Sequence, residues 1–487
     1  TANSLNVTVP SGSTHDAISV VINGKVAQSG LSFHVINNEI ASRSISNGNF
    51  GTNYSIASIQ NFTNKEMTIA GADFDGDGKT DVAVSGNGLV RVHLNTNSSV
   101  GVIDANSFNS GSDFTVSGGV TSIYCADMDA DGKLDIVSQS ASTISILRNI
   151  STGSGNINFA AKLDIATNGT AVRMADIDGD GLLDMISVNS GVVSVFLNTT
   201  AGGSLSFGSA NDITLSTSGF KKCDVGDLNN DGKIDFAVSK ANLLEVYMNS
   251  STVNSVSFAT GVSIPSTIGE NLILGDFDLD GDNDIYCDGM DLFENTYTTG
   301  LFSSSDLSHY DLAVANDGTG VLSVADFNGN GKLDVVSGVD WDKSWIYINN
   351  SLPLSSSTFS SKVIISSAYG QTRGASMGFD IDGDNKVDYI SSRNGTAGFT
   401  IVQNKMMPPP TITTTGTLSA FEKCAGQPSE SKAIIVTGAF LTNNITLNGK
   451  TGVEYSLDSI SYSSTLTLTK NSNDSVPQTK VFVRMIN

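Results

Sequence analysis

The sequence predicts an all-β protein whose central part, residues 40–406, is a seven-bladed β-propeller. An acidic nonapeptide recurs seven times, its first Asp advancing by 54, 49, 51, 49, 50 and 54 residues. Short runs with strand-like alternation follow each copy, and no segment shows a sustained helical period. Four short antiparallel strands in a repeat of about 50 residues are typical of a propeller blade.

The nonapeptide accounts for nearly all of the net charge. The 487 residues carry a formal charge of −23, and the seven copies contribute −21 of it through 26 acidic residues and five Lys. The acidity argues against nucleic acid or an anionic membrane surface as a partner, and no 18-residue apolar run is present to insert into a membrane. The copies read DFDGDGKTD, DMDADGKLD, DIDGDGLLD, DLNNDGKID, DFDLDGDND, DFNGNGKLD and DIDGDNKVD, beginning at Asp73, Asp127, Asp176, Asp227, Asp276, Asp326 and Asp380.

Each repeat predicts four strands, A to D, with the acidic loop between A and B. In the first repeat they are MTIAGAD, DVAVSG, VRVHLN and DFTVSG. Alternation in VRVHLN puts Val90, Val92 and Leu94 on one face and Arg91 and His93 on the other, so His93 is expected to face solvent. Each strand C ends in Asn, at Asn95, Asn149, Asn198, Asn249, Asn295, Asn349 and Asn404.

Only six D strands follow the seven loops. After Asn404 the chain runs into Pro408–Pro410, and proline cannot donate to a sheet ladder. The missing strand is predicted before the first loop, where Phe50 and residues 53–60 show the pattern of strand D. We expect this N-terminal strand to complete the last blade and close the ring.

The acidic loops have the oxygen donors that calcium requires. Asp or Asn at positions 1, 3 and 5 points three side-chain oxygens inward, and Gly at position 6 permits the sharp turn. Position 7 can offer its backbone carbonyl, and Asp at position 9 closes the cage. Position 12 lacks the Glu of the helix–loop–helix calcium motif, and the flanks are strand-like. The alternative is that some loops are empty, Asx-rich turns.

These repeats resemble the bacterial VCBS/FG-GAP-type repeats, which are similar to the calcium-loop blades of integrin alpha-subunit propellers. The resemblance implies a seven-bladed propeller and up to seven Ca²⁺ ions, bound through side chains at positions 1, 3, 5 and 9 and the carbonyl at position 7. The Gly-Ala-Pro element of the FG-GAP name is absent. Loop six has two carboxylates and is expected to bind most weakly, whereas loop seven has Asn385 in place of Gly. The implied ligands are Asp73, Asp75, Asp77, Lys79 and Asp81; Asp127, Asp129, Asp131, Lys133 and Asp135; Asp176, Asp178, Asp180, Leu182 and Asp184; Asp227, Asn229, Asp231, Lys233 and Asp235; Asp276, Asp278, Asp280, Asp282 and Asp284; Asp326, Asn328, Asn330, Lys332 and Asp334; and Asp380, Asp382, Asp384, Lys386 and Asp388.

The two flanks do not follow the blade pattern. Residues 1–36 resemble the closing strands of an IPT/TIG-type immunoglobulin-like domain, and the alternative is an N-terminal extension of the propeller. Residues 411–487 predict six strands of a β-sandwich and resemble immunoglobulin-like modules of large secreted Bacteroidota proteins, including the TGTLSAF opening before Cys424. We expect both modules to be truncated and the chain to be a piece of a longer protein.

No nucleophile elbow, phosphate loop or zinc signature occurs, so we expect no enzyme activity. The longest turn between strands B and C carries Asp340, Trp341 and Asp342, with Trp345 beginning the next strand. The integrin resemblance implies that this face, opposite the calcium loops, binds ligand, and Trp341 suits stacking on a sugar or anchoring a protein. The alternative is that Trp341 packs on a neighbouring blade.

The sequence therefore predicts a non-catalytic, calcium-stabilised adhesion or recognition module of a secreted or cell-surface protein. Its expected partner is an extracellular glycan or protein, and the chain is expected to be monomeric. A second hypothesis is an accessory propeller of a secreted polysaccharide-degrading enzyme whose catalytic domain lies outside this chain, and a third is a spacer in a surface stalk.

Overall fold

A computed structural model describes most of the chain. The chain divides into two compact units, Thr1–Lys405 and Met406–Asn487. Apart from 3-10 turns at Asn47–Asn49 and Ser304–Asp306, the described elements are strands, numbered β1–β36. No helix in the described part of the chain is long and apolar enough to cross a membrane. The described residues are 16–22, 25–33, 46–57, 68–86, 88–104, 106–266, 268–288, 291–312, 321–340, 343–350, 353–359, 361–366, 375–392, 398–406, 411–415, 428–439, 444–448, 453–471 and 475–486.

The first unit is built from four-stranded antiparallel sheets that repeat in step with the acidic nonapeptide. Seven such sheets occur among its described residues, and six of them use four consecutive strands. The first three sheets are β4 (Ile69–Ala72), β5 (Asp81–Gly86), β6 (Leu89–His93) and β7 (Ser112–Thr115); β8 (Val120–Ala126), β9 (Asp135–Ser140), β10 (Thr143–Leu147) and β11 (Leu163–Ala166); and β12 (Ala171–Ala175), β13 (Asp184–Asn189), β14 (Val192–Phe196) and β15 (Asn211–Thr214).

The next three sheets follow the same order along the chain. They are β16 (Lys222–Gly226), β17 (Asp235–Lys240), β18 (Leu243–Tyr247) and β19 (Val262–Pro265); β20 (Leu272–Gly275), β21 (Asp284–Cys287), β22 (Asp291–Asn295) and β23 (Leu307–Asp311); and β24 (Val321–Ala325), β25 (Asp334–Asp340), β26 (Lys343–Ile348) and β27 (Ser361–Ser366).

The seventh sheet joins distant parts of the chain. Its strands β28 (Ser376–Phe379), β29 (Asp388–Ser392) and β30 (Gly398–Asn404) are followed by β3 (Phe50–Ala57) from before the first repeat. The register pairs Phe50 with Asn404 and Ala57 with Gly398. A strand that precedes the first acidic loop therefore serves as the fourth strand beside the last one.

The second strand of the sheet is more buried than the fourth. In the first sheet β5 is buried along its whole length, whereas β7 alternates between half-buried and exposed residues. The core lies between neighbouring sheets: Val82 and Val84 of β5 pack with Phe399 and Ile401 of β30 in one apolar cluster. Inner strands are covered on both faces, so their sequences are apolar or small-residue runs rather than clean alternations.

The first strands of the sheets surround a central cavity. Neighbouring first strands contact each other at β4–β8, β12–β16, β16–β20, β20–β24, β24–β28 and β28–β4. The cavity has a volume of about 240 Å³, and all seven first strands contribute to its lining. Four-stranded sheets packed face to face around a central cavity have the architecture of a β-propeller.

One polar network crosses several sheets at this cavity. Arg173 of β12 donates from Nε to Asp224 Oδ1 of β16 at 2.6 Å and from Nη1 to the Tyr124 hydroxyl of β8 at 2.6 Å. The second oxygen of Asp224 accepts the Leu274 N–H of β20 at 2.9 Å. Side chains and backbone of four sheets are thus connected through one Arg–Asp pair.

The prediction that His93 faces solvent is wrong. His93 is fully buried, and its ring contacts the edge of Phe399 from the seventh sheet at 5.4 Å between centroids. Its Nδ1 lies 3.0 Å from the Asn109 carbonyl oxygen, and burial lowers its pKa. The alternation rule assumes one solvated face, but a sheet in a ring is packed on both faces.

The second unit contains six described strands where six were predicted. They are β31 (Thr411–Thr415), β32 (Lys432–Ala439), β33 (Ile445–Asn448), β34 (Val453–Ser456), β35 (Thr465–Leu468) and β36 (Val476–Met485). The four-stranded sheet has the order β31-β32-β36-β34, and β33 pairs with β35. Val436, Val481 and Val483 of the larger sheet share a core with Ile445 and Leu468 of the smaller one.

The N-terminal segment contributes a two-stranded sheet of β1 (Asp16–Ile22) and β2 (Lys25–Phe33). Asn23 and Gly24, between these two strands, lie outside the described residues, as do residues 1–15 and 34–36. Of the four cysteines, Cys125, Cys223 and Cys287 are free thiols, and Cys424 lies outside the described residues.

Candidate metal centres in the acidic loops

The seven acidic loops all connect the first strand of a sheet to the second. Position 1 follows the first strand directly, and position 9 is the first residue of β5, β9, β13, β17, β21, β25 or β29. Every predicted metal ligand lies in a described part of the chain. Because strand order is the same in each sheet, the loops lie at the same end of every sheet.

The carboxylate at position 1 organises the loop backbone. Asp73 Oδ1 accepts the N–H groups of Gly76 at 2.8 Å and Asp77 at 3.1 Å, and its Oδ2 accepts the Gly78 N–H at 2.8 Å. The same three bonds occur around Asp176 and Asp380. The loop backbone therefore wraps around the carboxylate at position 1, which makes the loop compact.

Two positions of the loop, rather than one, require left-handed backbone. Position 6 has positive φ as predicted, including Asn385 at 62°, but position 4 has it too. Ala130 and Leu279 occupy position 4 at φ of 57° and 64°, where a β-carbon is disfavoured. The sequence reasoning missed this position because its residue type varies. The position 4 residues are Gly76, Ala130, Gly179, Asn230, Leu279, Gly329 and Gly383.

Position 9 is the most buried carboxylate of each loop. In loop one, Asp81 Oδ2 accepts the Phe74 N–H at 2.9 Å and Oδ1 accepts the Asn95 N–H at 2.8 Å. Burial, opposed by these hydrogen bonds and reinforced by the neighbouring carboxylates, raises the pKa of Asp81 to about 8. The same cause raises the pKa of Asp135 and Asp284 to about 8, of Asp184 and Asp235 to about 7, and of Asp334 and Asp388 well above the usual range.

Carboxylate oxygens from several positions converge in at least four loops. Three oxygens lie within 4.8 Å of one another in each of the sets Asp73–Asp75–Asp81, Asp127–Asp129–Asp135, Asp176–Asp178–Asp180 and Asp276–Asp278–Asp284. Asp129 Oδ1 is buried and has no hydrogen-bond partner in the described structure. An oxygen-only donor set with an unsatisfied buried carboxylate oxygen is one that a hard cation such as Ca²⁺ would satisfy.

Protein cations neutralise part of the charge. Lys79 Nζ lies 3.0 Å from Asp77 Oδ2, and Lys386 pairs with Asp384 in the same way. In loop two, Arg148 contacts Asp129 and also Asp131 at 3.4 Å. These cations contact the Oδ2 atoms of positions 3 and 5, whereas the Oδ1 atoms of position 5 accept the N–H of position 7.

Loop six keeps the same backbone bonds with fewer carboxylates. Asn330 Oδ1 at position 5 accepts the Lys332 N–H at 2.9 Å, and Asp334 Oδ2 accepts the Phe327 N–H at 2.9 Å. Asn330 also donates to the Asn349 carbonyl at 2.8 Å. The loop conformation is thus compatible with Asn at position 5, where the other loops have Asp.

The Asn at the end of the third strand, or one or two residues after it, connects each sheet to the preceding one. Asn198 Nδ2 donates to the Leu183 carbonyl in its own loop at 2.9 Å and to the Met128 carbonyl, at position 2 of the previous loop, at 2.8 Å. We call these seven Asn residues the inter-sheet clasps. Their bonds to the previous loop are Asn95–Ile381, Asn149–Phe74, Asn198–Met128, Asn249–Ile177, Asn295–Leu228, Asn349–Phe277 and Asn404–Phe327.

The clasps form a closed series, because Asn95 of the first sheet bonds to loop seven. The sequence showed these Asn residues at the same place in each repeat. It gave no local indication that their side chains bond to the neighbouring repeat. Recurrence of a polar residue at the end of an apolar strand was the one signal available.

The predicted ligand-face residues are placed only in part. Asp340 is the last residue of β25, and Trp341 and Asp342 lie outside the described residues. Trp345 of β26 is buried in the core with Phe277, Tyr286 and Phe359. Trp345 therefore serves packing between sheets, whereas the position of Trp341 stays a prediction.

Fold and loops together define a class: a propeller of repeated four-stranded sheets with an Asp-rich loop between the first two strands. FG-GAP-like repeats match residues 73–138, 127–187, 176–238, 227–287 and 326–391, which together cover more than half of the chain. The chain belongs to the FG-GAP-like repeat family. Propellers of this family are typically extracellular recognition or adhesion modules. No curated protein matches the chain.

Three solved structures show weaker similarity. A lectin of Agrocybe aegerita, solved for its specific recognition of non-reducing terminal N-acetylglucosamine, is 16% identical with a TM-score of 0.40, covering 65% of this chain and 91% of its own. BBS1N in complex with ARL6DN is 12% identical with a TM-score of 0.43, covering 73% and 96%. The Photorhabdus luminescens Tc holotoxin pore is 14% identical with a TM-score of 0.37, covering 80% and 17%. At these TM-scores the similarities support no argument about this chain.

Proposed function

We propose that this protein is a calcium-stabilised, non-catalytic adhesion or recognition module of a secreted or cell-surface protein. The observation that carries the proposal is the sevenfold repetition of the Asp-rich loop at the same end of each sheet, with carboxylate oxygens that converge in at least four of the loops. In the first loop the side chains of Asp73, Asp75, Asp77 and Asp81 and the carbonyl of Lys79 would hold the ion. Loop six, with only Asp326 and Asp334 as carboxylates, would hold it least tightly.

The electrostatics of the loops supports a bound divalent cation. The loops carry −21 of the formal charge, and seven Ca²⁺ ions would bring the whole protein from −23 to −9. Burial and neighbouring carboxylates raise the pKa of Asp81, and a cation within its reach would lower it again because it favours the charged form. At extracellular, millimolar calcium even weak sites of this kind are filled.

Calcium bound in a loop would stabilise more than that loop. Position 9 bonds to the N–H of the clasp, and the clasp bonds to the loop of the preceding sheet. Each ion would therefore stabilise a hairpin and the contact between two sheets. The linkage contribution is about 2.7 kcal/mol for a site at a calcium concentration 100 times its dissociation constant.

The proposal is tested by calorimetric calcium titration and by thermal melts of metal-free and calcium-loaded protein. We expect several equivalents to bind and the melting temperature to rise with calcium. Asp180→Asn should remove or weaken one equivalent, and loop six shows that Asn is compatible with this position. Asp212→Asn, at an exposed carboxylate of β15, is the matched control. A melt that is indifferent to chelator, with no bound calcium, would refute the proposal.

We further propose that a glycan or protein ligand binds the face opposite the loops. Its binding residues would be Asp340, Trp341 and Asp342, which are consecutive in the sequence at the turn between β25 and β26. The seven sheets and the β3–β30 pairing support reading residues 40–406 as a seven-bladed propeller, and the shared core of two sheets supports an immunoglobulin-like module at 411–487. A glycan and matrix-protein screen, run with calcium and with chelator, tests ligand binding. Trp341→Ala should abolish any binding found without changing the melt; unchanged binding would exclude this turn.

A further inference from the structure

Three side chains that can ligate a metal meet at one end of the fifth sheet. Asp291 is the first residue of β22, Asp311 is the last residue of β23, and His309 lies two residues earlier. The register places Asp291 opposite Asp311 and Phe293 opposite His309. The third strand begins, and the fourth ends, at the end of the sheet away from the acidic loop, so this cluster lies on the opposite face of the propeller.

The ligand atoms converge closely. His309 Nε2 lies 2.5 Å from Asp291 Oδ1 and 3.5 Å from Asp311 Oδ1. A fourth oxygen comes from the neighbouring fourth sheet: Ser266 Oγ, one residue after β19, lies 3.4 Å from His309 Nε2 and 3.5 Å from Asp291 Oδ1. Donor atoms around a tetrahedral Zn²⁺ with 2.0 Å bonds are separated by about 3.3 Å, so the His309–Asp291 hydrogen bond would open by about 0.8 Å to admit an ion, whereas the Ser266 and Asp311 oxygens already lie near that distance from Nε2.

The surroundings hold the cluster in place and leave one side open. The His309 ring stacks on Phe293, which is fully buried, with 4.7 Å between centroids and an interplanar angle of 18°. The side chain of Asp291 is 2% exposed, whereas those of His309 and Asp311 are 34% and 83% exposed. A buried carboxylate and a stacked imidazole form the floor, and solvent reaches the ligand atoms from the Asp311 side.

Electrostatics favours a positive charge at this point. Two carboxylates directly opposite each other on adjacent strands repel, and one of them is buried. A metal ion bound among these atoms would relieve the repulsion, and the exposed Asp311 side chain leaves it a path from solvent.

We propose that Asp291, His309 and Asp311 form a binding site for a Zn²⁺-type transition-metal ion, with Ser266 or water at the fourth position. One imidazole and two carboxylates suit Zn²⁺, whereas the oxygen-only acidic loops suit Ca²⁺. This site is independent of the proposed calcium sites, because it lies on the other face and uses a nitrogen ligand.

The test is a calorimetric Zn²⁺ titration of the full chain in several millimolar Ca²⁺, which keeps the acidic loops saturated. We expect one Zn²⁺ equivalent that His309→Ala weakens by at least 100-fold, since even loss of an outer partner costs 10–100-fold. Asp311→Asn should weaken it as well, and this exposed position leaves the fold intact. Asp212→Asn removes an exposed carboxylate from another fourth strand and should change nothing.

Co²⁺ gives a second readout, because a tetrahedral Co²⁺ site absorbs strongly in the visible range and an oxygen-only octahedral site does not. The band should be present in the unmodified protein and in Asp212→Asn and absent in His309→Ala. The proposal is overturned if no Zn²⁺ equivalent binds in the presence of calcium. It is equally overturned if His309→Ala, folded by its unchanged melt, binds Zn²⁺ as tightly as the unmodified protein.

Discussion

Replacing Asn198 with Ala should destabilise the propeller by about 2 to 6 kcal/mol. The side chain is 2% exposed and makes three hydrogen bonds, donating at 2.8 and 2.9 Å and accepting the Thr200 N–H at 3.0 Å. The substitution leaves the carbonyls of Met128 and Leu183 without this donor in a buried place. Each buried group left unsatisfied costs about 1–3 kcal/mol, which gives the expected range.

The assay is equilibrium denaturation in saturating calcium, followed by near-ultraviolet circular dichroism. Asn211→Ala is the matched control, because Asn211 is exposed and donates two long bonds of 3.3 Å. It should cost less than about 0.5 kcal/mol, as surface substitutions usually do. If Asn198→Ala cost no more than this control, the inter-sheet clasps would not hold the sheets together, and the reasoning would be refuted.

Asn198→Asp distinguishes hydrogen bonding from side-chain volume, since the two side chains have nearly the same shape. The new carboxylate would face two carbonyl oxygens and could donate only when protonated. Its folded-state pKa would therefore be raised above its unfolded value, so its contribution to stability is present below the unfolded pKa and lost as pH rises through the folded pKa. We expect the stability deficit of this variant to shrink as pH falls from the raised folded-state pKa towards about 4, the unfolded pKa of Asp, and to stay at its smallest below that pH; a deficit independent of pH would contradict the assignment.

Three further predictions concern the loops and the closure of the ring. Without metal, the free energy of unfolding should fall as pH rises through 7 to 8. The cause is the raised pKa of the position 9 carboxylates, which makes their protonated forms the stable ones in the folded state. Thermal melts of metal-free protein from pH 6 to 9 test this, and saturating calcium should abolish the fall. Leu279→Gly should stabilise the protein by about 1 kcal/mol by relieving left-handed backbone at an exposed side chain, and Leu279→Ala, which keeps the β-carbon, should not. Phe399→Ala should destabilise by about 3–5 kcal/mol, because the fully buried ring fills the space between the first and seventh sheets; a loss below 1 kcal/mol in urea unfolding would contradict that packing.

Much of the fold could be predicted because each repeat carries its own local signals. Apolar runs beside an Asp-rich turn predicted the strand order of a sheet, and a short strand pattern at Phe50 predicted the partner that β30 acquires. The backbone turn at position 6 was predicted from Gly, which occupies it in six loops. These features depend on residues close in sequence, and seven repetitions make weak signals strong.

The remainder depends on contacts between repeats, which no local pattern encodes. His93 was predicted to be exposed because nothing in VRVHLN indicates that Phe399 covers it. The clasp bonds and the Arg173–Asp224 pair likewise connect residues about 50 or more positions apart. The cluster of Asp291, His309 and Asp311 was missed because its members are separated by a loop of irregular length and converge only through the register of β22 and β23.

The pairing of β3 with β30 has a consequence for how the protein is made. Ala57 and Gly398 are adjacent in the sheet, yet nearly the whole propeller is synthesised between them. Until β30 has been synthesised β3 has no partner, whereas each of the six other sheets is built from four strands consecutive in sequence. Closing a chain of this length costs about 5 kcal/mol in entropy, which the last sheet recovers only when β30 arrives. A chain that ends before residue 398 would therefore keep an unpaired strand edge, which is prone to proteolysis and aggregation. Only the complete chain pairs β3 with β30 and covers that edge.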